Sequence, residues 1–351
     1  MPRPIPTREQ QLLFNILKGD TPTSLEGIDI SKLFDLFQRH RLFPISSPVI
    51  NLLEGADREK WNRAVKYRAI RSLHQTAMLK QLDEVLREEK MDVIPLKGPL
   101  LAYLLFGNPT LRHSSDLDIL IREKRRTEII NLFGKLGYSL VSPRKNLSNR
   151  QWNYYSKHLK HFSLLNKSER MMVELHTRIE DSLALKPASM EYLLKDIEVV
   201  EMGGHNYLCM NRNNNFLYLI LHGSTHLYKR LFWLRDVFEA LKSWDLNHQK
   251  ILSDAGELGI ERLLGLSLLL VKDFFNAIIP SEYLTYIDEN KRGLNNLVRS
   301  SKKMIMYNDK PRFLVNIRQH IFNFKIRPNF DYKVRSIQKS MHYLYISKFL
   351  K

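Results

Sequence analysis

Cysteine is almost missing from this chain. Cys209 is the single one in 351 residues, which excludes an internal disulfide and any cysteine-rich metal site. Long apolar runs are missing too. No window approaches the roughly 18 consecutive apolar residues of a membrane span. The most apolar stretch, LLGLSLLLV (263–271), runs straight into Lys272 and Asp273 and suits a buried helix. The opening MPRPIPTREQQ lacks the apolar stretch of a signal peptide, so a reducing cytoplasm is the expected compartment. Acids are scarce in one region. Between Lys291 and Lys351, 15 Lys or Arg face only Asp309 and Asp331, so this segment carries thirteen of the formal +18. Its charges interleave with aromatics from Tyr307 to Phe349. Such a tail suits an anionic partner such as nucleic acid, lipid headgroups or an acidic protein; the blander reading is a helical cap with solvated lysines.

What is present reads as a soluble globular chain, with 44% apolar and 26% charged residues. Residues 7 to 90 carry helical periodicity, and 58–90 has neither Pro nor Gly, predicting one or two long amphipathic helices. At 91 the texture changes. MDVIPLKG (91–98) predicts a strand, GPLLAYLLFGN (98–108) a short helix with Pro99 in its first turn, and SDLDILI (115–121) a second strand. A helix over 123–138 ends at Gly137, MMVELHTRI (171–179) predicts a third strand, and 198–210 a hairpin around Gly203 and Gly204. From 213 the pattern is helical again. The expected organisation is a helical region at 1–90, a mixed α/β core at 91–210, and a helical region at 211–351 ending in the basic, aromatic-rich tail.

Asp116 and Asp118 sit in the second strand, two residues apart. Strand alternation points them to one side, with Cα atoms about 6 to 7 Å apart. Carboxylates so close repel unless a cation or proton lies between them. Mg²⁺ favours oxygen ligands and commonly joins one or two carboxylates to substrate phosphates. Two such ions about 3.5 to 4 Å apart can serve the attacking and leaving oxygens of a displacement at phosphorus. On the third strand Glu174, His176 and Arg178 share a face. Glu174 is the natural third metal ligand, Arg178 suits a phosphate, and His176 can orient a carboxylate or a phosphate oxygen. The turn at Gly98 opens a helix and presents N–H groups suited to phosphate. Lys97 adds a point charge beside it, and Arg112 and Ser115 complete the expected phosphate-binding set. A lone Asp-x-Asp is a weak signal; LKG, Arg112, SDLDILI and VELH in this order on successive strands are a much stronger one.

Through VIPLKGPLLAYLLFGNPTLRHSSDLDILI, the LGY at 136–138 and MVELHTRI, the chain resembles the nucleotidyltransferase superfamily that shares its fold with DNA polymerase β. It resembles more closely a bacterial group of uncharacterised nucleotidyltransferases, and LHGSTHLYKRLFWLRDV (221–237) is similar to that group's helical region. The resemblance covers about residues 90 to 245. It implies a polymerase β-like core, a small mixed sheet with helices (α+β or mixed α/β), flanked by the two helical regions. It implies transfer of a nucleoside monophosphate from an NTP to a hydroxyl or phosphate, with release of pyrophosphate. Asp116 and Asp118 would bind both Mg²⁺ ions (or Mn²⁺ in their place). Glu174 would bind the ion nearer the acceptor and help remove its proton, and the Gly98 turn would cradle the β and γ phosphates. Two features are the chain's own: Gly98-Pro99 where the superfamily usually has Gly-Ser or Gly-Gly, and 16 residues (100–115) before Asp116, a longer spacing than usual. Lys97 is read as the compensating phosphate contact.

Other candidates are weaker. His222 and His226 are four apart, but a zinc hydrolase of that spacing needs a Glu where Gly223 stands. Arg235 and Asp236 make either a buried polar link or an exposed helical pair. Cys209 is expected in the core, and His113 in a surface loop. The acceptor is a small molecule, peptide or protein. RNA end modification is a third use of the fold, and it would show in a steep salt dependence. The reading from another class is a non-catalytic NTP- or nucleic-acid-binding adaptor; three intact acids favour the enzyme.

Overall fold

The computed structural model describes residues 5–121, 126–143, 147–158, 160–179 and 192–306, with isolated positions between 321 and 341. The chain divides into two compact units, one drawing on Met1–Ile70 and Asn215–Pro328, the other on Arg71–Asn214 and Asn329–Lys351. The first and last helical stretches thus contribute to one unit, and the sheet lies in the other.

Helix α1 (Arg8–Leu17) starts with a reciprocal cap: Thr7 Oγ1 accepts from Gln10 N–H, and Gln10 Oε1 accepts from Thr7 N–H. Helix α2 (Ile30–His40) is capped by Asp29, which accepts from Lys32 N–H. The short α3 (Ser47–Ile50) leads into α4 (Gly55–Glu88), a single 34-residue helix where the sequence allows one or two. Its first half belongs to the helical unit, where Trp61 is fully buried against Phe34, Phe37 and Phe43 at ring separations of 5.0 to 5.5 Å. Its second half belongs to the sheet unit.

The sheet unit contains strands β1 (Val93–Pro95), β2 (Leu117–Ile121), β3 (Tyr138–Ser142), β4 (His161–Asn166) and β5 (Met171–His176), in the spatial order β1-β2-β5-β4-β3. β2 and β5 run parallel, and the other pairs are antiparallel. Helices α5 (Gly98–Phe106), α6 (Arg126–Lys135) and α7 (Asn149–His158) connect them. The hairpin of β6 (Ile197–Met202) and β7 (His205–Met210) forms a separate two-stranded sheet, as its paired glycines predict. Two strand boundaries at the polar residues differ from expectation. The second strand starts at Leu117, so Asp116 stands just ahead of it. The third ends at His176, so Arg178 is past the ladder. The helix after the second strand is described from Arg126, and its expected start at 123–125 lies outside the described residues. β3 and β4 were not expected at all.

Strand alternation separates the two faces of this sheet. Val93, Leu117, Ile119, Ile121, Phe162, Leu164, Val173 and Leu175 join Leu79, Leu82 and Leu86 of α4, Phe133 of α6 and Cys209 of β7 in one buried core. At about 1.5 to 3 kcal/mol for each large side chain fully buried, this face holds the unit together. The opposite face carries Asp118, His161, Ser163, Glu174 and His176. A second polar cluster ties α4 to the hairpin: Asp83 Oδ2 meets Arg87 Nε at 2.7 Å and His205 Nε2 at 2.6 Å, and Arg87 also donates to Asn206 O.

Helices α8 (Arg212–Thr225), α9 (Leu231–Ser243), α10 (His248–Leu258), α11 (Glu261–Phe275), α12 (Leu284–Glu289) and α13 (Lys291–Met306) follow. α11 contains the apolar run at 263–271 as a buried helix. Among the described residues no helix is long and apolar enough to cross a membrane. Helices α1 and α2 meet α11 and α13 inside the helical unit. Gln10 Nε2 donates to Met306 O, Arg39 donates to Ile305 O at 2.7 Å, and Phe14 packs edge-on against Phe274. Beyond Met306 the basic tail lies almost entirely outside the described residues.

His40 makes a further link in this unit. It is buried, and its Nδ1 accepts from Leu231 N–H at 3.2 Å, so the ring must be neutral at that nitrogen. Burial, with Arg39 and Arg230 close by, pushes its pKa down to about 3. The unfolded chain takes up this proton near pH 6.5 and the folded one only near 3, so the stability it contributes is complete above 6.5 and is lost as pH falls. Denaturant titrations of the wild-type protein should lose about 1.4 kcal/mol per pH unit from this group between about pH 6 and 4. His40→Asn, which keeps an acceptor without titrating, should show a shallower slope over that range.

Candidate functional site

The register of three strands assembles the polar face. In the parallel pair Asp118 lies directly beside Glu174, and in the antiparallel pair Glu174 lies beside Ser163 and His176 beside His161. Each acid therefore projects next to a neighbour chosen by the backbone ladder, independent of loop conformation. Leu96 N–H donates to Asp118 O at 2.9 Å, extending the β1–β2 ladder, and the next residue, Lys97, turns away beside that row. Its ammonium reaches Asp118 Oδ1 at 2.8 Å. His176 Nε2 contacts the same oxygen at 3.1 Å and Glu174 Oε2 at 3.5 Å.

Asp118 and His176 are buried, and Glu174 is half-buried. Burial by itself raises the Asp118 carboxyl, but the Lys97 ammonium and the hydrogen-bonded His176 more than offset it and hold the group well below the usual carboxylate range. For Glu174 burial again pushes upward, as does the charge of Asp118. His176 and His161 outweigh both and lower it. The pair is thus ionised at neutral pH, with an ammonium already placed where a cation is needed.

Gly98 begins α5 with φ +73°, a backbone region that side chains rarely adopt. A Cβ there would lie 3.6 Å from Leu117 Cδ2 and 4.0 Å from Asp116 O, so the turn abuts the start of β2. No side chain caps the first turn of α5, and Pro99 stands at its start.

The remaining expected residues surround this centre. Asp116 is half-buried, and its carbonyl accepts from Ser114 Oγ at 2.7 Å. Ser115 O accepts from Arg71 of α4 at 2.9 Å, while Ser72 Oγ of α4 donates to Pro109 O, pinning the loop that carries Arg112. Arg112 is itself buried. Arg178 is half-buried in the bend after β5, two residues past the last paired residue, His176. The structure thus joins Lys97, Asp118, Glu174 and His176 in direct contact. It also adds His161, whose Nε2 is 3.8 Å from Glu174 Oε1 and whose ring lies 5.1 Å from that of His176. Period-two alternation in HFSLLN was the signal that could have found it.

Elsewhere, His226 stacks on Trp233 at 4.8 Å and His222 meets His226 edge-on, so these histidines belong to an aromatic cluster of the helical unit. Gly223 is required there because a Cβ would collide with the Tyr228 ring, which also leaves no room for the glutamate of a zinc hydrolase. Arg235 and Asp236 are buried, which corrects the exposed-pair alternative. Cys209 is core, as expected.

The ion pair has a stability consequence. Lys97→Met removes the cation from a buried carboxylate and should cost on the order of 3 kcal/mol. Adding Asp118→Asn to that variant should recover at least half of the loss in urea denaturation. Losses that simply add would show that the two groups do not depend on each other.

A family model described as uncharacterised nucleotidyltransferase matches residues 26–276, well over half of the chain. Neither curated proteins nor solved structures yield a match. The family match takes in β1, β2, β5 and every residue of the polar face, and the chain belongs to the uncharacterised nucleotidyltransferase family.

Proposed function

We propose that this protein transfers a nucleoside monophosphate from an NTP to a hydroxyl or phosphate of a small-molecule, peptide or protein acceptor, on a polymerase β-like core and with Mg²⁺. The observation that carries the reading is the adjacency of Asp118 and Glu174 in the β2–β5 register, with Lys97 as a resident cation. These ionised oxygens suit a hard divalent ion, and the ammonium at 2.8 Å marks the position as one that favours positive charge. Asp116, Asp118 and Glu174 would hold the metal, which when bound would neutralise charge building on the phosphates.

The chain's own groups would do the rest. The N–H groups of the Gly98 turn and the positive end of α5 orient triphosphate oxygens. Lys97 leaves Asp118 for the β or γ phosphate, with Arg112, Ser115 and Arg178 at the periphery. The acceptor oxygen forms its bond to the α phosphorus, the bond from that phosphorus to the bridging oxygen breaks, and pyrophosphate departs. Glu174, partly open to solvent, takes the acceptor's proton, and His176 steadies both carboxylates. The basic tail would draw in an acceptor of opposite charge.

Calorimetric titration of each NTP with Mg²⁺ tests this. Wild-type protein should bind at least one NTP only when the metal is present, and Asp118→Asn should weaken that binding at least tenfold while remaining folded by circular dichroism. Metal-independent binding, or equal binding by the variant, would count against the reading.

A further inference from the structure

Glu174 faces two imidazoles. Among the described residues its ion-pair partners are His161 Nε2 at 3.8 Å and His176 Nε2 at 3.5 Å. One ligand atom from each of the three residues falls within 4.8 Å of the others. This is a different donor set from the oxygen-only one that Mg²⁺ prefers. Imidazole nitrogen suits zinc and its first-row neighbours, whereas carboxylate and water suit magnesium.

We propose that His161, Glu174 and His176 form a site for a borderline divalent transition cation of the Zn²⁺ or Co²⁺ kind, distinct in ligand chemistry from the Asp116–Asp118 position. The inference shares Glu174 with the function proposed above and to that extent rests on it. Three observations support it. First, the donors are close. Ligand bonds of about 2.1 Å in a tetrahedral arrangement set neighbouring donors about 3.4 Å apart; His161 Nε2 lies 3.8 Å from Glu174 Oε1 and His176 Nε2 lies 3.5 Å from Glu174 Oε2, and one donor atom from each residue falls within 4.8 Å of the others, a spread that side-chain rotation can close. Second, the donors are fixed by backbone register. His161 and His176 are opposed residues of β4 and β5, and Glu174 is two residues from His176 on the same face, so no loop need move. Third, access is graded. The side chains of His161 and Glu174 are 29% and 27% exposed, whereas that of His176 is 1% exposed. That leaves an entry path and open coordination positions on one side and an anchored ligand on the other.

Charge points the same way. Lys97 neutralises Asp118, while Glu174 is left with two side chains that are neutral unless protonated. A divalent cation bound there balances the carboxylate and takes both nitrogens, with His176 Nε2 giving up its 3.1 Å contact to Asp118 Oδ1, which keeps Lys97. At that position it would stand beside the acceptor, where lowering the pKa of a bound hydroxyl matters most.

The test uses the full chain, stripped with a chelator and titrated with Co²⁺ in the absence of nucleotide. The expected result is one equivalent bound at least tenfold more tightly than Mg²⁺, with visible d–d bands of nitrogen ligation, displaced by Zn²⁺. His161→Gln, checked for folding by circular dichroism, should weaken Co²⁺ at least tenfold and alter the bands. Binding no tighter than Mg²⁺, or a variant that binds as wild type does, would overturn the site. Mg²⁺–NTP titration of the same samples separates the two ideas. Failed Co²⁺ binding with intact Mg²⁺–NTP binding would condemn this site alone. Co²⁺ bound through His161 with no NTP bound would condemn the nucleotidyl-transfer reading alone.

Discussion

The parallel pairing of β2 with β5 is the constraint on which the site depends. It places Asp118 beside Glu174 and commits two carboxylates to one face of the sheet. A register slip of one residue would send both into the apolar core. That slip is prevented by what the other face buries: Leu117, Ile119, Val173 and Leu175 pack with α4 and α6. Core packing and site chemistry are therefore the same alternation seen from two sides. The hydrophobic residues fix the register, and the register positions the acids.

Holding like charges together has a cost, and the structure offsets it with nearby positive and polar groups. Lys97 is delivered by the end of β1, the neighbouring strand on the far side of β2, and His176 by the same strand as Glu174. Both acids stay ionised despite burial, so the face favours positive charge. An internal ammonium at 2.8 Å is also a competitor. Entry of a divalent ion at Asp118 requires Lys97 to let go, and a triphosphate offers it another partner. Metal and nucleotide would on this account bind together better than either does alone, through exchange of one side chain between two anions.

Much of this was legible in the sequence because the chemistry is local. A five-residue apolar strand carrying an acid, a glycine turn after a β-branched strand, and an acid–imidazole pair at period two are all short-range signals. The missing parts were not local. β3 and β4 carry little β-branching, and YSLVS and HFSLLN read as connection until they are seen to pair. With them went His161, whose significance exists only opposite His176. Arg178 lies two residues past the last ladder pair, where the register no longer fixes its direction. The division into units was equally hidden, since bonds such as Gln10 to Met306 join residues that periodicity cannot connect.

The most direct test of the account is a crystal structure of the protein grown with Mn²⁺ and an NTP analogue that cannot be cleaved at the α phosphorus. Anomalous density for manganese against Asp118 and Glu174, with the triphosphate along the Gly98 turn and Lys97 moved onto it, is the expected result. A nucleotide bound elsewhere, with Lys97 still on Asp118 and no metal on this face, would contradict it.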